Sequence, residues 1–411
     1  MDAVERPMPA ADVKIAVAIY YPWLYLTSGA ERTILEFARR SRHKVAVFTS
    51  EYQPDATFPG LREVDVRVLD RVPVERSLSA VARAAIRIFR RRLDLTGFDA
   101  LLVVCEGLGD LVVLRKPSVP AFNLCLTPLR IVFDPVYRKT YLARRGLVHR
   151  AIVQAGSLAF RLVDRLAWSR YRRIFPISRE VESRILAGGL APAERLQVLN
   201  PGIDLTTFTP SAQADRTFFL PGRIMWTKNH PLAIAAFRLF RERVADKRGW
   251  KLRIAGIVDR KSEPYLARLR ELAGGDPAIE FVVHPSDAEM RESYRTSFAT
   301  LFTAFNEDWG LVVIESMATG KPVVATNRGG PREIVRHDHD SLLAEPDPEA
   351  FAAAMLRLAD EPGLWSRLAA NGPASAARFG WEPFVKELDD RLEAGVLGNA
   401  PAPAALAEAN A

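Results

Sequence analysis

Apolar runs of strand length alternate with segments of helical period along nearly the whole chain. "VKIAVAIYY", from Val13, is a β-rich run. "AERTILEFARR" repeats apolar positions three and four apart, the spacing of one helix face, and "HKVAVFTS" is a second strand. "VDVRVLD", "ALLVVCEG" and "AFNLCLT" continue as short strands, a helical zone follows over 137–171, and "RIFPIS" is another strand. Apolar strands set between helices predict a parallel sheet covered on both faces. "LQVLNPGIDLTTFTP" breaks the pattern with Asn-Pro-Gly, which puts a domain boundary near Asn200. A second alternation then runs through "RTFFLPGRI", "PLAIAAFRLFRERV", "WKLRIAG", "YLARLREL", "IEFVVH", "ATLFTAF" and "KPVVAT", and "WEPFVKELDDRLEAGV" reads as a terminal helix. The expected fold class is α/β, with two doubly wound domains over 1–200 and 201–378, a helix over 379–397 and a disordered Ala/Pro/Asn tail over 398–411.

Composition agrees with this picture and narrows the function. A chain of 411 residues exceeds one ordinary core, and its 48% hydrophobic and 26% charged residues are those of a soluble globular enzyme. Its two cysteines, Cys105 and Cys125, each sit in an apolar run, which excludes a disulfide framework and suits a reducing cytosol. "MDAVERPMPAADVK" has no apolar core, so a signal peptide is not expected, and no run of about 18 apolar residues predicts a span. The net charge of +8 admits phosphorylated substrates or anionic lipid. No zinc-finger spacing or RNA-binding aromatic motif accompanies it, so nucleic acid is not an expected partner. The densest basic stretches, "RAAIRIFRRRLDL" and "RKTYLARRGLVHR", are either solvated helix faces or a surface for anionic headgroups.

The candidate chemistry lies in "FNEDWGLVVIESMATGKPVVATNRGG". Ligands of open α/β sheets bind past the carboxyl ends of strands, and Glu307 follows the strand "ATLFTAF" there. Free backbone N–H groups at the start of the next helix, near Gly310 and Leu311, can hold a phosphate. Glu315 falls in the second turn of that apolar helix, where a charged carboxylate needs donors; the vicinal hydroxyls of a ribose would serve. "PGRIMWTKNHP" supplies Arg223 and Lys228 directly after a strand, as a forked and a point cation for a diphosphate. Either cation alone is ordinarily a surface charge; with the two glutamates in this order they form a constellation. The first strand–helix turn, "YYPWLYLTSGAER", lacks G-x-G-x-x-G, so a dinucleotide dehydrogenase is not indicated. "DHD" at 338–340 looks like a metal pair but sits in a polar loop, and the six histidines show no ligand spacing.

At these residues the chain resembles a family 4 (group 1) glycosyltransferase of the GT-B fold, among its mannosyltransferase-like members. The resemblance runs through "SGAERTILEFARR", "ISREVESRIL", "VLNPGIDLTTF", "PGRIMWTKNHP", the glutamate stretch and "RFGWEPF", and so covers nearly the whole chain. It implies two Rossmann-like domains facing a central cleft, the first binding the acceptor and the second a nucleotide-sugar, with the terminal helix crossing back to the first. It also implies retaining transfer of a hexose from an NDP-sugar, which is a substrate and not a cofactor, without a metal. By the same resemblance Glu307 contacts the donor sugar, Glu315 the ribose, and Arg223 and Lys228 the diphosphate. Gly29 stands in the family's Gly-Gly-Ala-Glu loop, read here as Ser28-Gly29-Ala30-Glu31. "CLTPLR" matches a Cys-His-Thr-Pro-x-Arg segment, so Leu126 replaces a histidine, with Thr127 and Arg130 beside it in the cleft. The donor expected is GDP- or UDP-linked, with "EDWG" and "TPLR" leaning toward GDP-mannose. The acceptor is a glycan, lipid-linked glycan or natural-product hydroxyl, and the place the cytoplasm or the inner membrane face. Two other readings remain open: a non-catalytic NDP-sugar-binding partner of another transferase, and a GT-B NDP-sugar epimerase.

Overall fold

The computed structural model describes residues 14–72, 78–105, 107–143 and 145–398, so the expectations for the first residues and for the tail fall outside it. Six parallel strands form the first sheet: β1 (Ala16–Tyr20), β2 (Lys44–Thr49), β3 (Asp65–Val68), β4 (Ala100–Cys105), β5 (Ala121–Cys125) and β6 (Arg173–Pro176). Their order is β3-β2-β1-β4-β5-β6. The second sheet holds β7 (Thr217–Pro221), β8 (Lys251–Gly256), β9 (Ile279–Val283), β10 (Ala299–Phe302), β11 (Val323–Thr326) and β12 (Leu342–Ala344), in the order β9-β8-β7-β10-β11-β12. The two orders are one pattern used twice, that of a dinucleotide-type doubly wound sheet. Helices cover both faces, which is why neighbours along a strand such as Val17, Ala18 and Ile19 are all buried.

The chain crosses between the domains twice, and the two crossings touch. Ile203 N–H donates to Phe379 O at 2.9 Å, and a Cβ on Gly202 would stand 2.3 Å from Gly380 C, so only glycine fits. Past this junction the Trp381–Leu397 helix packs on the helix Gly29–Arg40 of the first domain. Asp389 accepts from Ser41 Oγ at 2.6 Å and Arg42 N at 3.0 Å, and Asp390 pairs with Arg42 at 2.7 Å.

One expectation needs correction in detail. The helical zone over 137–171 is two helices, Pro135–Leu142 and Leu147–Trp168, because Gly146 takes an extended N-cap conformation between them. The alternation also holds a helix, Asp287–Thr296, that its apolar period does not announce; Ser286 and Glu289 form a reciprocal capping box, the S-x-x-E signature in "SDAE".

Candidate active site

The strand order reverses beside β1 and β4 in one domain and beside β7 and β10 in the other, and a ligand crevice opens at such a point. After β7 the chain turns through Gly222 at φ +124°. A Cβ on Gly256 would lie 1.8 Å from Gly222 O, so bare backbone lets the loop fold over β8. That loop carries Arg223 and, in a short helical turn, Lys228. After β10 the chain carries Glu307 past Phe305, whose N–H donates to Thr227 O at 3.1 Å. Thr303 Oγ1 donates to Lys228 O at 2.7 Å, so the two loops are tied together.

Lys228 Nζ donates to Glu307 Oε2 at 2.7 Å. Burial works against the Glu307 carboxylate, but Lys228, then Arg130 and Arg223, outweigh it and hold its pKa below the usual glutamate value. Glu307 is therefore an anion ringed by three cations from both domains. His230, at the start of the next helix, contributes no charge. Burial and then Lys228 press its pKa down to about 3.

Gly310, at φ +134°, opens the helix Leu311–Ala318 with no side-chain cap, and a Cβ on Gly29 would stand 3.6 Å from Leu311 Cδ1. Gly29, Gly310 and Leu311, predicted from opposite ends of the chain, thus meet across the cleft. The loop behind them tolerates no side chain. A Cβ on Gly330 would lie 2.1 Å from Trp309 O, and one on Gly329 2.3 Å from Glu307 O. Glu315 is half-buried, and the donor it already has is a protein group: Tyr294 OH gives a hydrogen bond to Oε2 at 2.6 Å. Burial raises its pKa, and the Tyr294 hydrogen bond and the Arg32 charge only partly offset this. Glu315, expected to find donors in the hydroxyls of a ribose, thus already has one within the protein.

The segment expected to line the acceptor side is divided. Leu126 is 7% exposed, inside an apolar cluster that runs from the first domain into the second. Thr127 accepts from Arg184 Nη1 at 3.3 Å. Arg130 donates to Asn306 O at 2.7 Å and pairs with Asp134 at 2.8 Å. The buried Arg184, which no sequence signal marked, bonds Asp308 and Glu180. Glu333 accepts from the backbone N–H of Arg179 and Glu180 at 2.8 and 3.0 Å. These contacts clasp the 306–308 loop, and with it Glu307, to the first domain.

Beside this charged centre a cavity of about 650 Å³ lies between the domains. Arg223, Asp259 and Lys261 line one wall and Tyr25, Ser28 and Arg71 the other. Arg223 is exposed into it, and its charge also reaches Glu307. Asp340 accepts from Arg336 N at 3.0 Å as part of a turn, and among the described residues no three potential ligands gather.

Two parallel-sheet domains of this order, facing each other across a charged cleft, are the GT-B fold. Anabaena HepE, solved in complex with UDP and glucose, superposes with a TM-score of 0.71 at 16% identity, over 92% of this chain and 100% of that one. Residues 207–375 match the family described as Glycosyl transferases group 1. The D-inositol 3-phosphate glycosyltransferase of Thermobispora bispora is 34% identical over 48% of this chain and 50% of that protein; the chain spans about half the length of the curated relatives matched at this level. Mouse alpha-1,3/1,6-mannosyltransferase ALG2 is 25% identical over 88% of this chain and 92% of its own. The match to the group 1 glycosyl transferases is thus carried by the second domain, residues 207–375.

Proposed function

We propose that the protein transfers a hexosyl group from an NDP-sugar to an acceptor hydroxyl with retention of configuration. The observation that carries this is the Glu307 carboxylate held at 2.7 Å from Lys228, with Arg223 and Arg130 around it, at the switch point of the second domain. Arg223, Lys228 and the N–H groups at Gly310 and Leu311 take the diphosphate; Glu315 takes the ribose; Gly29 lets backbone approach from the other side. Glu307 orients the sugar hydroxyls. As the bond from the anomeric carbon to phosphate oxygen breaks, negative charge grows on the leaving diphosphate, where fixed cations stabilise the transition state more than the ground state. The acceptor oxygen bonds to the anomeric carbon on the same face, and its proton passes to the departing phosphate. Two fixed cations serve where a metal would otherwise be needed, so activity is expected to survive EDTA.

The donor is GDP- or UDP-linked; the UDP and UDP-glucose complexes of the structural neighbours and the mannosyltransferase among the relatives support this class. The acceptor is a glycan, lipid-linked glycan or natural-product hydroxyl, met in the cytoplasm or at the inner membrane face. The test incubates the full chain with UDP- and GDP-hexoses, with and without acceptors and EDTA, and follows nucleotide release and product. Donor-dependent product without added metal is expected. Tight nucleotide binding with no turnover for any pair overturns the transfer reading in favour of a binding role. An epimerised NDP-sugar formed without acceptor favours the epimerase.

A further inference from the structure

The Leu147–Trp168 helix is apolar on its outer side as well as its inner one, where Val153, Ala167 and Trp168 are buried. Its inward positions include Ser157 and Asp164, both buried, while Leu147, Val148, Ile152, Leu158, Leu162 and Leu166 are exposed, Leu147 to 81%. At 100° per residue these six fall within one half of the wheel; Ala151, Ala155 and Ala159 lie among them, with Arg165 at one edge and Val163 just past the other. A second amphipathic helix, Leu78–Arg90, packs on the same segment, Leu108–Arg115, and exposes Ile86 and Phe89. Monomeric proteins rarely leave so much contiguous apolar surface in water.

The charges around this face say what covers it. From Arg145 to Arg172 the chain has six arginines and one acid, Asp164, which is 1% exposed. From Leu78 to Arg92 it has five arginines and no acid. Arg145, Arg150, Arg165, Arg170, Arg87 and Arg90 are all exposed beside the apolar stripe. A second copy of this face would bring like charges together, whereas an anionic headgroup layer over hydrocarbon complements both parts. No helix among the described residues is long and apolar enough to cross a membrane, so the stripe is suited to lying in the interface.

We propose that the outer face of the Leu147–Trp168 helix embeds in an anionic bilayer, with the flanking arginines on headgroups. The surface is joined to the cleft by a row of rings. His149, in the helix's first turn, lies 6.1 Å from Tyr141, which is 6.3 Å from Tyr137, which is 5.0 Å from Trp226, two residues before Lys228. Docking holds this side of the cleft at the lipid surface. The inference goes beyond the transfer reading and does not depend on it.

The test is vesicle co-sedimentation of the full chain on phosphatidylcholine alone and with phosphatidylglycerol, across a salt series. Binding is expected only with the anionic lipid, falling as salt rises. Leu158→Glu with Leu162→Glu should lower it by about tenfold or more, with UDP or GDP binding unchanged as the check on folding. Leu158→Trp should shift its emission to the blue on adding anionic vesicles. No binding to either vesicle, or binding equal on both, overturns the proposal. So does a wild-type dimer in solution that the two glutamates dissociate without any vesicle binding. Vesicle binding without sugar transfer would count against the transfer reading alone.

Discussion

The two domains share one strand order and differ in what stands at the same topological point. In the second, glycine turns after β7 and β10 aim Arg223, Lys228 and Glu307 into the crevice. In the first, the segment after β1 is Tyr25, Leu26, Thr27 and a capped helix start, with Ser28 Oγ accepting from Ala30 N at 3.3 Å. One polar cluster of that domain turns inward: Asp110 accepts from Asn123 at 2.8 Å and from Tyr171, all three buried. One domain thus gathers Arg223, Lys228 and Glu307 at its strand ends, while the other reaches the same centre from a helix through Arg130 and leaves an apolar helix face outside. Topology fixes where a crevice opens, but the side chains at the strand ends decide whether it does chemistry.

The comparison is broken most directly at Lys228. Lys228→Ala should cut kcat/KM by about 3 kcal/mol, the scale of a lost oxyanion donor, and leave vesicle binding by the first domain intact. Steady-state kinetics and co-sedimentation on one preparation read both. Glu307→Ala should lower kcat by roughly a hundredfold with a smaller change in nucleotide affinity, because misplaced sugar reacts slowly. Loss of UDP and GDP binding with turnover intact would refute its role.

Leu126→His tests the first domain. The leucine is packed in the core, so the imidazole should cost about 1–3 kcal/mol of stability as a poorly paired buried group and should not raise turnover. Denaturant unfolding and initial rates separate the two. A gain in rate would mean that Leu126 faces the reacting centre.

The smallest effects sharpen the contrast inside the second domain. Glu315→Ala should weaken nucleotide binding by about tenfold, one ribose contact's worth. Glu307 and Glu315 should also bend stability with pH in opposite senses. The folded-state pKa of Glu307 lies below its unfolded value, so its contribution is present above the unfolded pKa and is lost as pH falls through the folded one. That of Glu315 is raised, so the fold carries no penalty when both states are protonated. The penalty grows as pH rises through the unfolded pKa and is complete above the folded one. At neutral pH without ligand, Glu307→Gln should lower Tm and Glu315→Gln should raise it, while only the latter is expected to weaken nucleotide binding appreciably. Equal shifts of one sign would remove the distinction.

The sequence by itself determined the repeated strand–helix alternation, the break near Asn200, the terminal helix and the glutamate and cation motifs. Each rests on hydrophobic period or on residue spacing within one loop, and these are local. Tertiary structure alone decided the rest. It supplied Tyr294 to Glu315 from 21 residues away and Arg184 to Asp308 from 124 away. It packed Leu126 into an apolar cluster with residues more than 170 positions away. It also showed that the apolar stripe of the Leu147–Trp168 helix faces out, because a helical period reports that a face exists and not which side the sheet will cover. Contacts between distant segments depend on how two rigid sheets are set across the junction at Gly202 and Gly380, and no spacing along the chain encodes that distance.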